Sequence, residues 1–120
     1  MDECVVVNFF RRKKVNGAVS PLVKVCREDE LGEGDMRVVE AGGEQVLVLR
    51  HKGKLFAVSN ICTHEYAELV NGLVVDGTIT CPVHLSRFRL ETGEVLNPPA
   101  TKNLKTYKIH VLEGEIFVET

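Results

Sequence analysis

Glycine-containing dipeptides break this 120-residue chain at short intervals, at Lys52-Gly53, Asn71-Gly72, Asp76-Gly77, Thr92-Gly93 and Glu113-Gly114, and that spacing limits the fold more than any other feature. Each pair favours a tight reversal, because glycine enters the positive-φ region without a steric penalty. Between the reversals, apolar and polar residues alternate every second position, as in strands with one buried face. Candidate strands cover residues 22–26, 36–40, 45–50, 54–59, 73–75, 78–81, 87–90, 105–111 and 115–119. No long segment keeps a helical period, so an all-β antiparallel domain is expected. In the last hairpin Tyr107, Ile109 and Val111 share one face and Thr106, Lys108 and His110 the other, which predicts a solvated His110.

The length fits one domain with one hydrophobic core. Residues 1–20 differ in composition from the rest and read as an extension before a domain spanning 21–120. Within the extension, Arg11, Arg12, Lys13 and Lys14 form a basic run. Setting their four charges aside changes the formal net charge from -2 to -6, and a mildly acidic body without a basic stripe gives no electrostatic reason to bind nucleic acid. The acidic stretch Glu28, Asp29, Glu30, Glu33 and Asp35 is interrupted by Gly32 and Gly34, as expected of a solvated loop. The apolar run 5–10 is too short to span a bilayer, and its positive charges follow it, unlike those of a secretory leader. A reducing, cytoplasmic setting follows as the expectation, and there cysteines serve as metal ligands more often than as disulfides.

Two segments carry chemistry: Cys62-Thr63-His64 and Cys81-Pro82-Val83-His84, with sixteen residues between His64 and Cys81. Each supplies one thiolate and one imidazole where a strand pattern gives way to a loop. The turns at Asn71-Gly72 and Asp76-Gly77 would fold the intervening residues into a compact excursion that brings the loops together. Two sulfur and two nitrogen donors suit tetrahedral zinc, although zinc fingers usually pair cysteines two to four residues apart. The plainer alternative makes Cys62 and Cys81 small buried hydrophobes and the histidines ordinary loop residues.

At these residues the sequence resembles the Rieske family, whose pattern is Cys-x-His, some fifteen to seventeen residues, then Cys-x-x-His. The resemblance runs from about residue 22 to residue 118 and takes in Phe88, Thr92-Gly93, Asn97-Pro98-Pro99 and the final hairpin. It implies an antiparallel β-sandwich with a small inserted cluster-binding subdomain, its loops within about residues 60–100. It also implies a 2Fe-2S cluster with Cys62 and Cys81 on an inner iron and His64 and His84 on an outer one near the surface. Two neutral imidazoles in place of thiolates make such a cluster easier to reduce than an all-cysteine one.

Departures from the family pattern refine that expectation. Rieske proteins of respiratory cytochrome bc complexes have a further cysteine in each box and join the two in a disulfide; Ala67 and Val83 stand at those positions here. Phe88 replaces a tyrosine whose hydroxyl donates to a cluster cysteine, so a sulfur loses a hydrogen bond and the potential should fall. Ser86 points the other way, since it matches a serine that hydrogen-bonds a bridging sulfide in the high-potential group. Tyr66 and Leu85 stand where many relatives have glycine, and either could belong to a docking patch or fill the core. Pro98 and Pro99 resemble the loop that covers the cluster. Outside the pattern, Cys26 is expected in the core, Cys4 as a thiol in the extension, and His51 exposed beside its turn.

The resemblance implies a soluble monomeric ferredoxin, without catalysis of its own, that carries one electron from a flavin-dependent NAD(P)H reductase to a terminal oxygenase. An oxygenase would need a further iron site of two histidines and a carboxylate, and only His51 and His110 remain for it. The alternatives are a Rieske-like small subunit of a larger enzyme such as nitrite reductase, and a zinc-stabilised interaction module.

Overall fold

The computed structural model describes the backbone of residues 12–15, 18–64 and 66–120, and side chains from residue 22 onward. Cys4, Arg11 and Glu65 lie outside the described residues, as do the side chains of Arg12, Lys13 and Lys14. The strands are β1 (Arg12–Val15), β2 (Ala18–Arg27), β3 (Met36–Ala41), β4 (Glu44–His51), β5 (Lys54–Ser59), β6 (Leu73–Val75), β7 (Thr78–Thr80), β8 (Arg87–Arg89), β9 (Ile109–Leu112) and β10 (Glu115–Glu119). Two single 3-10 turns, Glu28–Glu30 and Leu69–Asn71, are the helical elements among the described residues. No helix among them is long and apolar enough to cross a membrane.

Among the described residues three antiparallel sheets result, in the orders β1-β2-β10-β9, β3-β4-β5 and β6-β7-β8. The hairpin turns follow from the glycines: Lys52-Gly53, Asp76-Gly77 and Glu113-Gly114 each place two successive residues at positive φ, as a two-residue mirror-image turn requires. Asn71-Gly72 behaves differently from its expected turn. Gly72 ends the Leu69–Asn71 helical turn at φ -87, and a Cβ there would lie 2.1 Å from the Thr80 carbonyl oxygen. Close approach of two backbones, not turn geometry, requires that glycine.

β4 organises the core because it is buried on both faces. Val46 and Val48 point with Ala57 of β5 into a cluster containing Cys26, Ile116 and Val118. Leu47 and Leu49 point the other way, with Val58, into a cluster containing Cys62, Leu69, Ile79, Cys81, Phe88 and Leu90. The period-two backbone thus makes the β3-β4-β5 sheet the middle layer, with one core on each side. Truncating a fully buried leucine there, such as Leu47, would cost about 2–5 kcal/mol.

The expected strand over 105–111 is split. Thr106 pairs with Val58 in a single bridge, flanked by bonds from Ser59 N–H to the Lys105 carbonyl and from Tyr107 N–H to the Ala57 carbonyl. The strand that pairs with β10 is Ile109–Leu112, with the Glu119 N–H also donating to the Lys108 carbonyl. His110 is not solvated as expected: it is half-buried, with Nε2 2.8 Å from Glu119 Oε1. It lies opposite Phe117 in the register, and β10 is buried on both faces at Ile116, Phe117 and Val118, so the one-face pattern does not hold. His51 is also half-buried, and its Nε2 accepts the Gly77 N–H at 3.0 Å, tying the middle sheet to the β6-β7 turn.

Candidate metal centre

The first ligand loop leaves β5 and is closed at its base. Ile61 and Glu68 form a bridge, and Cys62 N–H donates to the Ala67 carbonyl at 2.9 Å. Asn60, buried at the strand end, anchors this loop from below. Its Oδ1 accepts the Val70 N–H at 2.9 Å and its Nδ2 donates to Gln45 Oε1 at 3.0 Å. A buried amide with both ends bonded fixes local geometry, because an unpaired end would carry the full desolvation cost.

The second ligand loop connects β7 to β8. Cys81 N–H donates to the Ser86 carbonyl at 2.7 Å, and Leu85 N–H to the Cys81 carbonyl at 3.1 Å. Both loops are then fastened to residues 97–102. Asn97 Oδ1 accepts the Arg87 N–H at 2.8 Å while its Nδ2 donates to the carbonyls of Leu85 and Pro98, each at 3.1 Å. Ala100 N–H donates to Ser86 Oγ at 2.9 Å. Thr63 Oγ1 donates to the Lys102 carbonyl at 2.7 Å, so the segment after Pro99 touches both ligand loops.

All four sequence-predicted ligands are on these two loops, and their burial divides them by element type. Cys62 and Cys81 are 4% and 1% exposed, packed in one core cluster with Phe88 and Leu69. His64 and His84 are exposed, with ring centroids 5.3 Å apart and planes at 72°. A two-iron cluster divides its ligands between two metals, and a buried pair of thiols with an exposed pair of adjacent imidazoles fits such a division.

Ala67 is buried and Val83 exposed, and neither offers a sulfur for the disulfide that the bc-complex proteins form. Tyr66 and Leu85 are both exposed, so neither fills the core. Cys26 lies in the second core as expected, and burial pushes its thiol pKa up. Asn60 and Thr63 were not anticipated from the sequence, although a polar residue at the end of an apolar strand, two positions before Cys62, is the mark by which Asn60 could be found.

Residues 21–108 match the family model of the Rieske [2Fe-2S] domain. Among curated proteins, the chain is 38% identical over 95 residues to the 3-phenylpropionate/cinnamic acid dioxygenase ferredoxin subunit of Photorhabdus laumondii, covering 78% of this chain and 90% of that one. It is 35% identical over 99 residues to the alkene monooxygenase ferredoxin component of Xanthobacter autotrophicus, covering 82% and 80%. Among solved structures, the complex of reduced oxygenase and oxidized ferredoxin in carbazole 1,9a-dioxygenase contains a chain that superposes with a TM-score of 0.77 at 31% identity, covering 82% of this chain and 92% of that one.

Proposed function

This chain belongs to the Rieske [2Fe-2S] domain family, and we propose that it takes single electrons from a flavin-dependent NAD(P)H reductase and delivers them to a terminal oxygenase as a cytoplasmic monomer. It is an electron-carrying ferredoxin component of an oxygenase system, not an enzyme by itself. The names of its relatives favour this over a nitrite reductase subunit. Residues 21–120 constitute the electron-carrying domain in this reading, and residues 1–20 an extension before it.

The single observation that carries the ligand assignment is the division of the two boxes into buried thiols and exposed, adjacent imidazoles. Cys62 and Cys81 would hold one iron and His64 and His84 the other, and the bound cluster supplies a centre that takes up and releases one electron. The chain's own residues set the conditions for that exchange. Burial of the thiols excludes water from one side, and hydrogen bonds that Asn97 and Thr63 donate and Asn60 and Ser86 accept fasten the loops. Exposure of the imidazole edges brings a partner's redox centre close without rearrangement of the fold. Ser86 Oγ accepts from Ala100, which would leave its own hydrogen available to a bound cluster.

Purified protein should contain iron and acid-labile sulfide in equal amounts, and after reduction should pass electrons to an oxygenase. His84→Ala should lose the cluster and weaken the fold, since bound metal contributes folding free energy. A His84→Ala protein with full iron content and an unchanged spectrum would refute the assignment.

A further inference from the structure

Leu85 is held at φ +64, in the left-handed region where every side chain but glycine's meets a steric penalty. Three other described non-glycine residues share that region: Lys52, Asp76 and Glu113. Each is polar and is the first residue of a two-residue turn completed by a glycine, so the hairpin accounts for its conformation. Leu85 has no such companion. Its conformation is imposed by the loop around it, through its N–H to the Cys81 carbonyl and its own carbonyl to Asn97 Nδ2. Glycine would meet both bonds without strain. Nor does the leucine side chain recover its cost by packing within the chain, since the residue is 63% exposed.

A strained conformation that the fold enforces and does not repay internally marks a functional position. We propose that Leu85 is an anchor for the terminal oxygenase, inserting into an apolar recess beside the oxygenase's electron-accepting centre and fixing the orientation in which the neighbouring His84 faces that centre. This rests on the electron-carrier reading above. The surroundings suit such an anchor. Exposed Val83 lies two residues before it in the chain, exposed Pro98 is brought alongside by the Asn97 amide that also holds Leu85, and Tyr66 stands 70% exposed two residues from His64. Interfaces place an apolar core within a polar rim. Exposed Arg87 follows Leu85 by two residues, and exposed Lys102 accepts from Thr63 through its backbone carbonyl, so cations lie close to the site along the chain and carboxylates on the oxygenase surface would complement them.

The test compares chemically reduced wild type, Leu85→Gly and Leu85→Met as electron donors to three oxygenase components, those of the carbazole, 3-phenylpropionate/cinnamic acid and alkene systems of its relatives. Leu85→Gly should melt at the same or a higher temperature and keep the midpoint potential. Its half-saturating concentration for the oxygenase should rise about tenfold, with little change in the limiting rate. Leu85→Met, which keeps the apolar bulk, should restore it. Equal half-saturation by wild type and Leu85→Gly overturns the anchor and leaves the electron-carrier reading standing. A lower melting temperature with a shifted potential in Leu85→Gly overturns it in favour of a structural role. Slowed reduction by a flavin reductase, with unchanged transfer to the oxygenase, overturns the choice of partner. Wild-type failure with all three oxygenases defeats the electron-carrier reading and the anchor together.

Discussion

Ser86 Oγ accepts a hydrogen bond from the Ala100 N–H at 2.9 Å, and that contact fastens the second ligand loop to the loop of Pro98 and Pro99. Both residues are buried. Ser86→Ala therefore strands an N–H away from water and should destabilise the fold by about 1–3 kcal/mol, read by chemical denaturation. If the same hydroxyl donates its hydrogen to a sulfide of the bound cluster, the variant's midpoint potential should fall as well. An unchanged potential would mean that the hydroxyl serves only the loop.

Phe88 is fully buried between Ile79 of β7 and Val95, in the core that also holds both thiols. Without a hydroxyl there, and without a disulfide at Ala67 and Val83, the wild-type midpoint should fall in the lower half of the roughly -150 to +300 mV Rieske span. Phe88→Tyr should raise it, at a cost of about 1–3 kcal/mol for the added atom in a packed core. Protein-film voltammetry measures the first quantity and thermal unfolding the second. A wild-type midpoint near the top of the span would contradict the argument.

Gly93 sits at φ +77, and a Cβ there would lie 1.9 Å from the Leu104 carbonyl oxygen, whose own N–H donates to the Gly93 carbonyl. Gly93→Ala should cost at least about 1 kcal/mol from the backbone conformation alone, and more from displacing residue 104. A melting temperature equal to wild type would show that this approach is not tight.

Much of this architecture is readable because its determinants are local. Strands 54–59, 73–75 and 115–119 are found with their bounds unchanged, since turns at Gly53, Gly77 and Gly114 fix at least one end of each. The four candidate ligands are readable for the same reason, each pair lying within a few residues of chain. What escapes the sequence is long-range. Residues 105–107 leave their expected hairpin to pair with β5, and His110 is covered because β10 is buried on both faces. Asn60 acts through Gln45, fifteen residues away, and His51 through Gly77, twenty-six away. Leu85 is visible as a departure from glycine, but its positive φ emerges only once Cys81 and Asn97 hold it.

Stability should form a plateau bounded by named groups. Glu33 accepts the N–H groups of Gly53 and Lys52, Glu44 accepts from Tyr107 and Lys105, and Asp29 from Arg27, and these bonds hold all three carboxyls below their ordinary pKa values. A lowered folded-state pKa contributes stability above the ordinary value, 4.5 for the two glutamates, which is lost as pH falls through the folded value. Tyr107 has its pKa raised, by burial and then by Glu44. Its contribution is complete below the ordinary value of 10.0 and lost at higher pH. Melting temperatures across pH should therefore fall on both sides, with Glu33→Gln flattening the acid limb and Tyr107→Phe the alkaline one. Unchanged limbs in these variants would remove the assignment.

Nitrogen-resolved electron paramagnetic resonance decides whether two histidines and two cysteines of these loops share one 2Fe-2S cluster. Reduced protein grown with 15N-histidine should show two strongly coupled nitrogens, one lost with His64 and one with His84 when ligand-competent substitutions such as His→Cys are made singly. A silent, colourless protein, as zinc would give, or a cluster signal without histidine nitrogen coupling, would show that they do not.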